Sequence, residues 1–256
     1  MKQKLTIVKV GGKVVEEANS LNDLLERFAQ IEGSKVLVHG GGRSATAMAE
    51  RLGIETRMVD GRRITDKPML EVVTMVYGGL VNKGIVAGLQ AKGINAIGLT
   101  GADLNYMQAV KRPVKEIDYG FAGDIVSVRV DELKLLVEKQ VVPVLAPLTH
   151  DKKGQMLNTN ADTIAAEAAI GFSNYFDVEL VYCFEKPGVL ENAEDDSSVI
   201  DSLTYTEFKN LQESGAIHAG MIPKLDNSFN AIDKGVSLVR ITNIPRLKNG
   251  GTKLMT

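Results

Sequence analysis

The chain has 256 residues, 44% of them apolar and 24% charged, enough to bury one large core or two modest ones and too apolar for a disordered polymer. Thirty basic residues oppose thirty-two acidic ones for a formal charge of -2, and the lysines are spread along the chain, which argues against a nucleic-acid surface or an anionic-membrane surface. The single cysteine, Cys183, excludes an internal disulfide, and His39, His150 and His218 lie too far apart for metal-ligand spacing, so small-molecule partners and a reducing cytoplasm are expected, with no protein-held metal.

The N-terminal segment MKQKLTIVKVGG has an apolar part too short for a signal sequence, and no window reaches the roughly 18 uncharged apolar residues of a membrane span. In chain order, strands are expected at Leu5–Val10, Lys35–His39, Asn95–Thr100, Val141–Leu148, Val178–Phe184 and Ser237–Thr242, because these runs are short, rich in Val, Ile and Leu, and mostly unbroken by charge. Between them, Leu21, Leu24, Leu25, Phe28 and Ile31 repeat at three and four, with Ser20 and Asp23 as a capping pair at the start of that helix. Thr65, Asp66 and Pro68 open a helical region running toward Lys92, with Gly78–Gly79 as a break and Gly93 as its stop. Further helices are expected near 131–140, 162–169, 206–214 and 223–234, the last stopped by Gly235. Residues 111–130 read as a hairpin excursion bent at Gly120 and Gly123, and the acidic 191–198 segment as a solvated loop. Strand and helix taking turns predicts an α/β fold with a mainly parallel sheet between helix layers.

Two glycine clusters sit where a strand gives way to a helix: Gly11–Gly12 after the first strand and Gly40–Gly42 after the second. In such sheets ligands gather at the carboxyl ends of strands, where helix starts offer free N–H groups to an anion and a missing Cβ lets a phosphate approach. Tight turning alone is the plainer explanation of either cluster. Lys9 stands inside the first strand, costly if buried unless its ammonium meets a negative partner, or else an edge lysine in solvent. The P-loop pattern is absent, whereas Gly40, Gly42 and Ala45 with Asp60 about 20 residues on fit a weak dinucleotide fingerprint, which leaves a nicotinamide oxidoreductase as an alternative. Asn158, Asn160 and Asp162 alternate before an alanine-rich helix and could simply be its cap, and Ala169 at the twelfth position counting from Asn158 argues against a calcium loop. Lys224 follows Pro223 at a helix start; alone it would read as a solvated lysine.

Taken together, KVGGK (Lys9–Lys13), VHGGG (Val38–Gly42), DGRRIT (Asp60–Thr65), NTNAD (Asn158–Asp162) and GMIPK (Gly220–Lys224) occur in the order and at about the spacing of the amino acid kinase family, and the chain resembles its N-acylglutamate-phosphorylating members from the first strand to GGTKL (Gly250–Leu254). The resemblance implies a three-layer αβα sandwich in two lobes, residues 1–172 for acylglutamate binding and dimerisation and 173–256 for ATP. It implies transfer of the ATP γ-phosphoryl group to the side-chain carboxylate of N-acetyl-L-glutamate or a close relative such as N-succinylglutamate, in arginine biosynthesis, with Mg2+ carried by the nucleotide. By the same resemblance Lys9 and Lys224 are the catalytic cations and Asp162 holds them in place. Gly11 and Gly12 meet phosphate, Gly41, Gly42, Arg63 and Asn158 meet the acylglutamate, and Glu185, Lys186, Gly188, Met221 and Pro223 belong to the nucleotide site.

Two departures stand out. The Ser/Thr-Asp turn usual in the nucleotide lobe is replaced by YCFEKPGVL (Tyr182–Leu190), which leaves a non-catalytic amino-acid sensor as a third reading. Arg62 is an additional basic residue, either a plain surface arginine or a contact for the second charge of a succinyl group. Because arginine-inhibited relatives carry an extra helix before the first strand, the resemblance also implies a homodimer, joined near Met69–Val81, without arginine feedback.

Overall fold

The runs of Val, Ile and Leu form the inner strands of one large sheet in the computed structural model, which describes residues 2–59, 61–192, 194–215, 217 and 221–255. In chain order the strands are β1 (Lys4–Val10), β2 (Ser34–His39), β3 (Met58–Val59), β4 (Arg62–Arg63), β5 (Ala96–Leu99), β6 (Met107–Lys111), β7 (Gly123–Val128), β8 (Val142–Leu145), β9 (Leu148–His150), β10 (Met156–Asn158), β11 (Asp177–Phe184), β12 (Ser202–Thr204), β13 (Leu238–Asn243) and β14 (Thr252–Met255). The helices are α1 (Gly12–Glu16), α2 (Ala18–Ala29), α3 (Gly42–Arg51), α4 (Lys67–Gln90), α5 (Asp131–Glu138), α6 (Ala161–Ser173), α7 (Tyr205–Glu213) and α8 (Ile222–Asp233).

The main sheet has the order β12-β14-β13-β11-β1-β2-β8-β5, and every neighbouring pair is parallel except β13 with β14. Its two faces bury different cores. Leu5, Ile7, Val36, Val38, Leu180 and Tyr182 pack with α5, α6, α7 and α8, whereas Val8, Val10, Leu37, Val181 and Cys183 pack with α1, α2, α3 and α4. The result is the expected three-layer αβα arrangement. A smaller sheet, β10-β9-β6-β7, carries the 111–130 excursion, which forms an antiparallel hairpin of β6 and β7 with Gly120 in left-handed conformation at its bend. β1 sits where the strand order switches direction, flanked by β2 and β11. The carboxyl ends of these three strands are therefore the place where such a sheet binds ligands.

Local expectations fail at identifiable points. α2 starts at Ala18, ahead of the expected Ser20–Asp23 pair: the Ser20 hydroxyl donates to Glu17 and Asp23 takes Arg27. Gly78–Gly79 do not interrupt α4, whose segment Thr74–Val81 continues in π-helical register. A Cβ on Gly78 would stand 3.4 Å from Leu148 Cδ1, so this glycine serves close helix–strand packing. The Val141–Leu148 run splits at Pro147, giving β8 to the main sheet and β9 to the smaller one. α4 is long and apolar enough by length and composition to cross a bilayer, yet Met69, Leu70, Val72, Val73, Val76, Tyr77, Val81, Ile85 and Leu89 are buried in the protein's own core.

One buried polar contact ties α4 to the second glycine turn. His39, fully buried at the end of β2, donates from Nδ1 to the Gly40 carbonyl (2.7 Å) and accepts at Nε2 from the Asn82 amide (3.1 Å) of α4. A carbonyl can only accept, so this pattern selects the neutral ring. Burial pushes the His39 pKa down to about 4, with the Gly40 contact opposing. A histidine whose folded value lies below its ordinary 6.5 contributes stability that is complete above that pH and lost as acid protonates the unfolded chain. Unfolding free energy from urea titration is expected to fall by about 3 kcal/mol between pH 6.5 and 4 on account of this group, and His39→Asn should remove that part of the slope.

Candidate active site

Strand alternation puts Lys9 on the same face of β1 as Leu5 and Ile7, one turn of the pleat from the strand's end. That face is covered by α6 and α8, and their N-termini end beside it. Lys9 is 6% exposed, and its Nζ lies 2.7 Å from Oδ1 of Asp162 in the first turn of α6. Lys224 enters from the first turn of α8. Its ammonium stands over the Phe184 ring, 3.8 Å from the centroid, and the Lys9 ammonium lies 4.9 Å from the same centroid. Burial lowers the Lys224 pKa, Asp162 works against that, and Lys9 adds repulsion in the same direction as burial.

For stability alone this arrangement is unfavourable. A helix N-terminus carries partial positive charge, so a lysine in the first turn of α8 opposes the helix dipole, and a second ammonium nearby adds to the cost. Such a concentration of cations gains when an anion arrives.

The glycine turns supply the opposite wall. They touch: Gly40 N donates to Val10 O (3.0 Å), and a Cβ on Gly40 would lie 3.1 Å from Gly12 N. At Gly41 a Cβ would come within 2.9 Å of the Tyr77 ring of α4, so the second turn tolerates a side chain at neither position without movement. Between these turns and the start of α8 opens a cleft of about 550 Å3, lined by Gly11, Gly12, Lys13, Val14, Gly42, Arg43, Thr46, Met58, Arg63, Phe184, Glu185, Lys186, Met221 and Lys224.

Most residues expected from sequence meet in or beside this cleft. Arg63, buried on β4, donates through Nη2 to the Gly42 carbonyl (2.7 Å) and the Thr46 hydroxyl (2.8 Å), which parks its guanidinium against the second turn. The alternating Asn158, Asn160 and Asp162 divide three tasks. Asn160 caps α6 by accepting from the backbone of Asp162 and Thr163, Asp162 reaches Lys9, and Asn158 donates to the Thr65 hydroxyl (2.9 Å) outside the cleft lining. Glu185 accepts from Lys13 (3.1 Å) across the cleft mouth, and Lys186 pairs with Asp196 (2.8 Å).

Gly188 lies apart: it is buried, and a Cβ there would stand 2.7 Å from both Thr252 and Val199. Arg62 is exposed and does not line the cleft. Pro223 stands in the first turn of α8; Gly220, His218 and Asp60 lie outside the described residues. Among the described residues, no group of three or more His, Cys, Asp or Glu is placed to hold a metal ion.

Sequence reading missed four contributors. Glu16 accepts from Ser44 N (2.7 Å) at the start of α3, Thr46 receives Arg63, and Lys13 and Phe184 line the cleft. Lys13 lay within the quoted KVGGK run, so its position was visible without a role.

Residues 4–243 match the sequence profile described as the amino acid kinase family. The acetylglutamate kinase of Phocaeicola vulgatus is 64% identical over 250 residues, covering 98% of this chain and 97% of that protein. The acetylglutamate kinase of Bacteroides fragilis strain ATCC 25285 is 62% identical over 255 residues, covering 99% of this chain and 98% of that protein. Among solved structures, a protein from Streptococcus mutans UA159 superposes with a TM-score of 0.81 at 25% identity, covering 98% of both chains.

Proposed function

The chain belongs to the amino acid kinase family, and from that premise we propose that it transfers the γ-phosphoryl group of ATP to the side-chain carboxylate of N-acetyl-L-glutamate, forming an acyl phosphate in arginine biosynthesis. The observation that carries this reading is the meeting of Lys9 and Lys224 around Asp162, opposite two glycine turns.

A carboxylate attacking a triphosphate brings two anions together, and charge spreads over the phosphoryl group as it moves. The attacking oxygen already carries its lone pairs, so no general base is required. Catalysis then depends on alignment and on cations aimed at the moving group. In this reading Lys9 from β1 and Lys224 from α8 meet the transferring phosphoryl group from two sides, and Asp162 keeps the ammonium groups in place. Backbone N–H groups of Gly11 and Gly12 bind phosphate oxygens, and those of Gly41 and Gly42 bind acylglutamate. Arg63 releases its parked contacts to take the substrate α-carboxylate as a bidentate partner, with Asn158 beside it.

Glu185, Lys186, Met221 and Pro223 form the nucleotide side, and Gly188 supports the loop that carries Glu185. Mg2+ enters on ATP. The cleft is rich in cations and glycines, with Glu185 as its lining carboxylate, which suits an ion held by phosphates and water instead of by a protein cage.

In this account the acylglutamate lobe is 1–172 and the ATP lobe 173–256, and the protein works in the cytoplasm. It pairs as a homodimer through α4, where Met75 (55%) and Leu80 (62%) are exposed apolar residues near the middle of the helix.

An assay with ATP, Mg2+ and N-acetylglutamate, trapping the acyl phosphate as a hydroxamate, is expected to register turnover. Lys9→Ala and Lys224→Ala should each lower it by about 100-fold or more, the scale of losing one transition-state donor. Full activity in either folded variant would remove these two roles. Light scattering should give a particle of two chains that Leu80→Glu shifts toward one; a six-chain particle would contradict the dimer.

A further inference from the structure

Phe184 ends β11 and lines the cleft, within the YCFEKPGVL segment. Its ring faces both ammonium groups, with centroid distances of 3.8 Å to Lys224 Nζ and 4.9 Å to Lys9 Nζ. The ring is itself held. It stacks on buried Tyr182 two residues earlier (centroids 5.9 Å apart, planes at 2°), and the Tyr182 hydroxyl donates to the main-chain carbonyl of Asp162 (3.3 Å). One aromatic ladder thus connects the strand, the carboxylate-bearing start of α6 and the two lysines.

We propose that Phe184 is a positioning residue for phosphoryl transfer, its ring face holding the Lys9 and Lys224 ammonium groups toward the site where the triphosphate lands. This rests on the reading of those lysines as the transferring cations. Asp162 provides one full negative charge, 2.7 Å from Lys9. A second carboxylate beneath Lys224 would fix that ammonium too, but it would also repel the γ-phosphate. An aromatic face attracts a cation through its quadrupole, carries no net charge and has no acceptor lone pair. Phosphate oxygens can therefore take the Lys224 ammonium over from the ring without displacing a carboxylate seated beneath it.

The charged groups acting on Lys224 are Lys9 from β1, Asp162 from α6 and Glu185 from the loop after β11; Asp226, on its own helix, is engaged by Lys209 of α7. Substituting the Phe184 ring leaves all of these charges in place and removes the aromatic face that meets Lys224 and Lys9.

The test compares Phe184→Leu and Phe184→Tyr with the unaltered protein by hydroxamate kinetics across pH, and by following the 13Cε signal of Lys224, identified by its loss in Lys224→Arg. Lys224 acts as the ammonium, and the ring favours that charged form. In Phe184→Leu the kcat is expected to fall about tenfold with the KM for ATP little changed, and both the alkaline limb of kcat and the Lys224 titration should move about one pH unit lower. Phe184→Tyr keeps the ring face and should restore all three quantities. The proposal is overturned if the unaltered protein forms hydroxamate while Phe184→Leu matches it in kcat and in both pH readouts, or if Phe184→Tyr falls as far as Phe184→Leu. Absence of hydroxamate from the unaltered protein, with the Lys224 titration still moving in Phe184→Leu, would instead remove the kinase reading and leave the ring–ammonium contact standing.

Discussion

A buried ammonium must find negative charge, and in this protein the Lys9–Asp162 contact of 2.7 Å answers that need only in part. Asp162 is one carboxylate facing Lys9 directly and Lys224 at longer range, beside two helix N-termini that are themselves positive. This imbalance lies at the carboxyl end of the sheet. At the other end, buried Arg240 is saturated: Nε meets Glu179 (2.9 Å), and its remaining nitrogens donate to the carbonyls of Gly250 (2.7 Å) and Leu247 (2.9 Å). Burial works to raise the Glu179 carboxyl, but Lys4 and Arg240 outweigh it and hold it below its ordinary range. A closed network of that kind serves the fold, while the open one around Lys9 is completed by an anion from outside.

The scaffold makes this imbalance possible by bringing strand ends and helix starts to one point. Because β1 lies between β2 and β11, the turns after β1 and β2 touch each other, and the loop after β11 closes over them. Glycine at 40 and 41 is dictated by close approach to Gly12 and to Tyr77, the plain packing explanation, and that same approach brings Gly12 and Gly42 side by side in the cleft lining, where a missing Cβ lets an anion near the backbone. Packing and binding therefore select the same residue. His39 and Asn82 anchor the second turn to α4 from behind, which couples the long apolar helix to the site's geometry.

Much of this was legible in the sequence, for a physical reason: strands covered on both faces must be continuously apolar, so six of the main-sheet strands announced themselves. Short outlying strands such as β12 and β14 have no such signature. The alternation of Asn158, Asn160 and Asp162 identified a helix start, but cap, ion pair and strand-side contact are indistinguishable until the chain is folded. Gly78–Gly79 resembled a break because a glycine that ends a helix and one that lets a helix approach a strand look identical as letters. Phe184 gave no hint, since an aromatic residue closing a buried strand is ordinary core; its meaning comes from Lys224, 40 positions later in the chain. The GxGxxA match at Gly40 reflects the shared demand of a strand–turn–helix on glycine, and relatives above 60% identity favour the kinase over the nicotinamide reading.

The lysine pair is an unfinished anion site, and a crystal structure with a non-hydrolysable ATP analogue and N-acetylglutamate tests this. Lys9 Nζ and Lys224 Nζ are expected within about 3 Å of γ-phosphate oxygens, with backbone N–H groups of Gly11 or Gly12 donating to the same phosphates. A triphosphate bound elsewhere, with both ammonium groups still resting on Asp162 and the Phe184 ring, would contradict it.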